Sequence, residues 1–239
     1  MNKKIPQLSI FFPFWNEDKN IEYVITRAIE VAKAQATSWE ILMVDDGSED
    51  KTREIALKLA STDPRLKVIS LHPNKGYGAA LKAGLHNAKY DVIVFTDGDR
   101  QFDFSEVTTF LEQIKSSDMV VGFRKQRRDE KIFKRLLLMN LLKIWDFILF
   151  RFYFKDIDCG FKMFTRHALT EIGQLHAEGA MITTEIFAKA TKKKLTIAQV
   201  GVTHYPRKFG KQTGANLYVI LRALLESMIL WLDIRYKRF

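Results

Sequence analysis

An α/β fold with a mostly parallel central sheet and helices on both faces is predicted by three observations. Short apolar runs alternate four times with amphipathic segments of helical period between residues 8 and 122. Several of these runs carry no polar alternation, as in strands covered on both faces. Acidic or polar turns follow three of them, so carboxylates collect at the carboxyl end of the sheet, where open α/β sheets bind ligands.

The chain of 239 residues suffices for one substantial domain with a sizeable core. Its 47% hydrophobic and 12% aromatic content excludes disorder, and 28% charged residues exclude an integral membrane bundle. A net charge of +10 calls for an anionic partner: nucleic acid, a phosphorylated substrate or an anionic membrane surface. One cysteine, Cys159, leaves no internal disulfide and no thiol metal cluster. The basic start leads into a strand-like run without a cleavable apolar region, which predicts a cytoplasmic protein.

Residues 8–12 form the first predicted strand, and Pro13 to Glu17 a polar loop past its end. Ile21, Val24, Ile25, Ala28, Ile29 and Ala32 recur at helical spacing. Residues 39–44 make a second strand that delivers Asp45, Asp46, Gly47 and Ser48. A helix over 51–60 and a strand over 66–71 lead to Asn74-Lys75-Gly76-Tyr77-Gly78, which opens another helix. Lys75 and Gly76 there suit either phosphate binding at a helix start or a tight turn.

Residues 92–96 are the fourth strand, followed by Asp97-Gly98-Asp99-Arg100-Gln101-Phe102-Asp103. Two Asp around one Gly can turn toward a single point, and hard oxygen ligands suit Mg²⁺ or Mn²⁺ carrying a substrate phosphate. An Asp-Gly turn closing a strand is the alternative. A helix over 105–116 and a strand over 119–122 complete the regular alternation.

Beyond Gly122 the chain turns basic and then densely apolar over about 131–154, where Asn140, Lys143, Asp146 and Arg151 share one face. This reads as amphipathic helices in a membrane interface, or as core helices packed on the sheet. A strand ending at Phe164, a helix over 166–172 and a helix opening at Thr183-Thr184-Glu185 come next. There Glu185 complements the helix dipole. The strand over 195–202 delivers His204, Arg207, Lys208 and Lys211. His204 offers a metal ligand, a phosphate donor or a structural contact. Arg207, Lys208 and Lys211 suit either a diphosphate clamp or a solvated charge run. Residues 215–239 close the chain as an amphipathic helix with a basic, aromatic end, as at a membrane surface.

In this order the segments Pro13–Glu17, Asp45–Ser48, Asn74–Gly84, Asp97–Asp103, Asp158–Lys162 and Val202–Gly210 resemble the family 2 glycosyltransferases of GT-A fold, and among them the dolichyl- or polyprenyl-phosphate sugar transferases. The resemblance implies a catalytic domain over 1–214 and a membrane-apposed helix over 215–239. It implies a nucleotide-sugar donor, GDP- or UDP-linked, held by Pro13, Asn16, Glu17, Asp45, Asp46, Lys75, Gly76, Asp97, Gly98, Arg207 and Lys211. Asp97, Asp99, Gln101 and His204 would hold Mg²⁺ or Mn²⁺. Arg124 and Arg135 would meet the acceptor phosphate. Catalytic roles fall to Asp97, Asp99 and Arg207, with Asp158 or Glu185 as base if the acceptor is a saccharide hydroxyl. The expected site is the inner face of the cell membrane. A scaffold without chemistry is the non-enzyme alternative. Nucleic acid is not an expected partner, because no stacking platform or nucleic-acid module accompanies the basic runs.

Overall fold

The computed structural model describes residues 4–125, 144–145, 147–177, 179, 181–209 and 217–236. Seven strands form one sheet: β1 (Ile5–Phe14), β2 (Ala36–Asp45), β3 (Leu66–Ser70), β4 (Val92–Phe95), β5 (Met119–Arg124), β6 (Lys162–Thr165) and β7 (Ile197–Val202). Their order is β3-β2-β1-β4-β6-β5-β7. All neighbours pair parallel except β6, which runs antiparallel to both β4 and β5. The sheet is thus mostly parallel, as expected, with one reversed strand that alternation alone does not reveal. β5 ends at the carboxyl rim, and β6 re-enters the sheet from that rim. The turn before β6 therefore stands beside the loop after β4.

Side chains of β1 alternate between two apolar layers, as a strand requires. Leu8, Ile10, Phe12 and Phe14 face one layer, which α1 (Ile21–Gln35), α2 (Thr52–Ala60) and α4 (Val107–Gln113) cover. Phe11 faces the other, covered by α3 (Tyr77–Asn87), α5 (Arg166–Ile172), α6 (Met181–Lys192) and α7 (Leu217–Tyr236). Helices lie on both faces. Complete burial of an aromatic such as Phe12 or Phe95 stabilises the fold by about 1.5 to 3 kcal/mol.

β1 extends to Phe14, beyond the predicted end at residue 12, so Pro13 lies in the strand opposite Val44. Pairing with β4 stops at Phe11, so on that side the missing Pro13 amide interrupts no ladder. α6 opens at Met181, which moves Glu185 out of the first turn, where a dipole effect would have applied.

α7 presents two faces. Its buried face carries Ser227 and Ile234, while Leu225, Met228, Ile229, Leu232 and Tyr236 are exposed in one stripe. Trp145 donates its indole hydrogen to Ser227 at 2.9 Å, tying residues 144–150 to α7. Ile144, Phe147 and Ile148 are exposed as well. Residues 131–143 and 146 of the expected interface segment lie outside the described residues.

Candidate active site

β4 stops at Phe95, and Thr96 to Asp99 then pass over the carboxyl rim. Gly98 is required by close approach, since a Cβ there would stand 2.3 Å from the Phe14 ring. Asp97 accepts a hydrogen bond from the Tyr77 hydroxyl at 3.0 Å on Oδ1. On its other oxygen the chain of Gly160 packs so closely that a Cβ would lie 2.0 Å from Oδ2. Asp99 accepts from the Gln101 amide at 3.0 Å. Burial raises the pKa of Asp97, against the Tyr77 hydrogen bond and the charges of Lys162, Arg124 and Arg207. Burial first, and the charge of Asp97 second, push Asp99 up to about 7. Two poorly solvated carboxylates this close repel, and a divalent cation relieves the repulsion.

The oxygen donors fit such a cation. Gln101 gives its side-chain NH₂ to the Tyr205 carbonyl at 3.0 Å, which leaves its amide oxygen as the acceptor. No three His, Cys, Asp or Glu among the described residues form a ready cation cage. A pair of carboxylates completed by substrate phosphate suits Mg²⁺ better than an all-protein cage. His204 makes a backbone bridge to Phe102 and sets its ring 5.2 Å from the Phe102 ring, edge to face.

That bridge belongs to a seam that closes the loop after β7 onto the Asp97 loop. The Tyr205 amide donates to the Gln101 carbonyl at 2.8 Å. Thr203 donates through its amide and hydroxyl to Glu106, each at 2.8 Å. The seam delivers Arg207 to residues far away in sequence. Its Nη2 pairs with Glu17, its Nη1 lies 3.5 Å from Asp99, and its Nε donates to the Phe209 carbonyl at 2.7 Å. Burial raises the Glu17 pKa, against a hydrogen bond from Asn20 and the Arg207 charge. The guanidinium therefore links the first rim loop to Asp99 in the loop after β4.

Other expected donor residues are brought to the same rim but are engaged differently. Asp46 accepts from the Lys75 and Gly76 amides, both at 2.9 Å. Those amides are satisfied by a carboxylate at the start of α3. Asp46 is a loop clasp, although burial still raises its pKa. Asp45 is buried and accepts from the Ser48 amide at 3.2 Å. Asn16, at φ 54°, accepts from Glu49 at 2.8 Å through Oδ1 and fastens the first loop to the second. Pro13 stays in the strand beneath. Lys211 and Arg135 lie outside the described residues.

Two further expected site residues are engaged by the protein itself. Arg124 forms a two-pronged ion pair with Asp156, Nε to Oδ2 at 2.6 Å and Nη2 to Oδ1 at 2.8 Å. Burial opposes its charge, yet this pairing raises its pKa above the ordinary value. Glu185 is fully buried, pairs with Lys189 at 2.8 Å, and accepts from the amides of His176 and Ala177 at 3.0 and 2.8 Å. It clasps the loop after α5. Asp158, by contrast, is exposed.

Tyr77, Gly160 and the fully buried Lys162 were not anticipated. A lysine opening an otherwise apolar strand is the signal that could have found the last. Beside the rim opens a cleft of about 630 Å³, lined by Tyr23, Arg27, Thr96, Asp97, Tyr205 and Arg207 among others. The Arg100 guanidinium lies over the Tyr23 ring at 3.8 Å to one side of it.

Residues 9–173 match the family model described as glycosyl transferase family 2. A dolichyl-phosphate beta-glucosyltransferase of Saccharomyces cerevisiae is 31% identical over 221 residues, covering 82% of this chain and 66% of that protein. An undecaprenyl-phosphate 4-deoxy-4-formamido-L-arabinose transferase of Pectobacterium atrosepticum is 28% identical, covering 90% of this chain and 65% of that one. The chain thus spans just under two thirds of the length of these relatives. In structure it is similar to glucosyl-3-phosphoglycerate synthase from Mycobacterium tuberculosis in complex with Mn²⁺, uridine diphosphate and glucosyl-3-phosphoglycerate. The TM-score is 0.67 at 19% identity, over 95% of this chain and 79% of that one. The same enzyme in complex with Mg²⁺ and uridine diphosphate gives a TM-score of 0.65 at 20% identity, over 93% of this chain and 79% of that one. The fold is that of the GT-A glycosyltransferases, and with a family model matched across most of its length the chain belongs to glycosyl transferase family 2.

Proposed function

We propose that this protein transfers one sugar from a UDP- or GDP-sugar to a polyprenyl or dolichyl phosphate, with a divalent cation at Asp97 and Asp99 and with inversion at the anomeric carbon. The observation that carries the reading is the buried carboxylate pair beside Arg207, an arrangement of charge matched to a cation and a diphosphate together. The printed names of the yeast and Pectobacterium relatives support the acceptor class. The solved Mn²⁺ and Mg²⁺ complexes of the Mycobacterium enzyme support the cofactor.

In this mechanism an acceptor oxygen attacks the anomeric carbon as the bond to the diphosphate breaks, and the electron pair leaves with the diphosphate. Asp97, Asp99 and Gln101 would hold a divalent cation, which when bound would supply Lewis-acid stabilisation of that leaving group. Arg207 shares the developing negative charge through its fork, releasing Glu17 and Asp99 to do so. A lipid phosphate with a second pKa near about 6 is already mostly dianionic at neutral pH and needs no protein base. For a hydroxyl acceptor the base would be Asp158, the exposed carboxylate of the turn before β6.

The exposed stripe on α7 and the exposed residues 144, 147 and 148 provide a surface for the lipid. Leu225, Met228, Ile229, Leu232 and Tyr236 recur at helical spacing on one face. No described helix is long and apolar enough to cross a membrane. An amphipathic helix lying in the interface meets these conditions, and the excess of ten positive charges favours an anionic leaflet. Sedimentation with vesicles containing anionic lipid is expected to bring down the wild-type protein, and Ile229→Glu with Leu232→Glu to reduce the bound fraction by about tenfold. Equal binding by the double variant would discard this surface.

The function itself is tested by measuring nucleoside diphosphate release from UDP- and GDP-sugars, with and without Mn²⁺ or Mg²⁺, polyprenyl phosphate and simple saccharides. Release that needs both a cation and the lipid phosphate is expected. Release supported only by saccharides would replace the acceptor, and none under any condition would remove the enzyme reading.

A further inference from the structure

Lys162 is fully buried at the start of β6, where it pairs with Phe95 of β4 and Val121 of β5. Its ammonium lies 5.7 Å from the centre of the Phe95 ring and 5.5 Å from that of Phe187. A cation in such apolar surroundings is costly unless something compensates it. Its hydrogen bond goes to the Cys159 carbonyl. Burial lowers its pKa, against the attraction of Cys159, Asp97, Asp158 and Asp156.

The residue after that carbonyl is Gly160, whose backbone packs against the Asp97 carboxylate so tightly that a Cβ would fall 2.0 Å from Oδ2 and 2.4 Å from Cγ. The Tyr77 hydroxyl holds the opposite oxygen at 3.0 Å. Asp97 is thus clamped between Tyr77 and the Cys159–Gly160 peptide, and Lys162 grips that peptide from below. Asp99 has no such clamp, being oriented by the Gln101 amide of its own loop.

We propose that Lys162 is a positioning residue for the cation site. It locks the Cys159–Gly160 turn against Asp97, so that the carboxylate stays aimed at the rim. This rests on the reading of Asp97 and Asp99 as cation ligands given above. A lysine that merely plugged the sheet would affect stability and leave cation binding in the folded protein alone.

The test is Lys162→Met, because Met has similar length and suits the phenylalanine walls. Replacing a buried charge with a well-packed apolar side chain often preserves stability. Mn²⁺ binding is followed by the electron paramagnetic resonance of the free ion, with UDP or GDP present, alongside thermal melting. The variant is expected to melt within a few degrees of wild type and to bind Mn²⁺ about ten- to a hundredfold more weakly, as for lost outer-shell partners of metal ligands. Lys162→Met added to Asp97→Asn is expected to cause little further loss, because both act on one carboxylate. Lys162→Leu, which likewise removes the donor, serves if the Met variant does not fold, with the same weakening expected. Mn²⁺ affinity within twofold of wild type in either folded variant, or full additivity with Asp97→Asn, would overturn the role of Lys162. Wild-type protein that binds no Mn²⁺ with either nucleotide would instead overturn the cation reading, and this role with it.

Discussion

Replacing Asp99 with Asn is expected to lower metal-dependent nucleoside diphosphate release by at least about a hundredfold, the scale of losing one preorganised electrostatic contact in an active site. The protein should nevertheless fold at least as well. Asp99 has its pKa raised to about 7 from an ordinary 3.8 by burial and by the charge of Asp97. Between those values the folded state holds a proton that the unfolded state has released, so stability falls as pH rises through the window. The Asn variant lacks that slope. Measured in chelator, its melting temperature should gain on wild type from about pH 4 to about pH 7 and then hold its lead. Cation affinity should move the opposite way. Below about pH 7 a proton must leave Asp99 before the cation binds, so wild-type affinity should weaken by about tenfold per pH unit. A variant that keeps its activity, or wild-type affinity flat from pH 5.5 to 7, would remove Asp99 from the ligand set.

Arg207→Ala carries the second large effect. The guanidinium reaches Glu17, Asp99 and the Phe209 carbonyl together, and so joins the first rim loop to the loop after β4. Loss of about a hundred- to a thousandfold in turnover is expected at saturating metal, with a weaker donor KM. Arg207→Lys should recover little, because an ammonium is a point charge and cannot engage three acceptors in a fork. The Ala variant should also melt lower, since it leaves the buried Glu17 without its cation. Adding Glu17→Gln should restore the melting temperature and not the turnover. Recovery of both would mean that Arg207 serves only to neutralise Glu17.

Three of the expected site residues share a common character. Asp46, Arg124 and Glu185 are residue types that bind ligands, and each is engaged by the protein itself: Asp46 by the Lys75 and Gly76 amides, Arg124 by Asp156, Glu185 by Lys189. A carboxylate next to a glycine turn reads the same in sequence whether it faces a substrate or a backbone amide. Tyr77 was read as part of a helix start, and only the fold turns its hydroxyl to Asp97. The apolar stripe of α7 was legible as amphipathic. Which part of it stays exposed was decided by the packing of Ser227 and Ile234.

By itself the sequence determined the alternation of strands and helices, the two apolar layers and the gathering of acidic turns at one rim, because these follow from local periodicity and from the direction of parallel strands. It also held the Asp97-Gly98-Asp99 loop in plain view. Only the tertiary structure decided the reversed β6, the seam that brings Arg207 to Glu17, and the placement of Lys162 and Gly160 beneath Asp97. These are contacts between segments tens to hundreds of residues apart. Their energy comes from burial and from charges sharing a poorly solvated space, and neither quantity exists until the chain has closed around them.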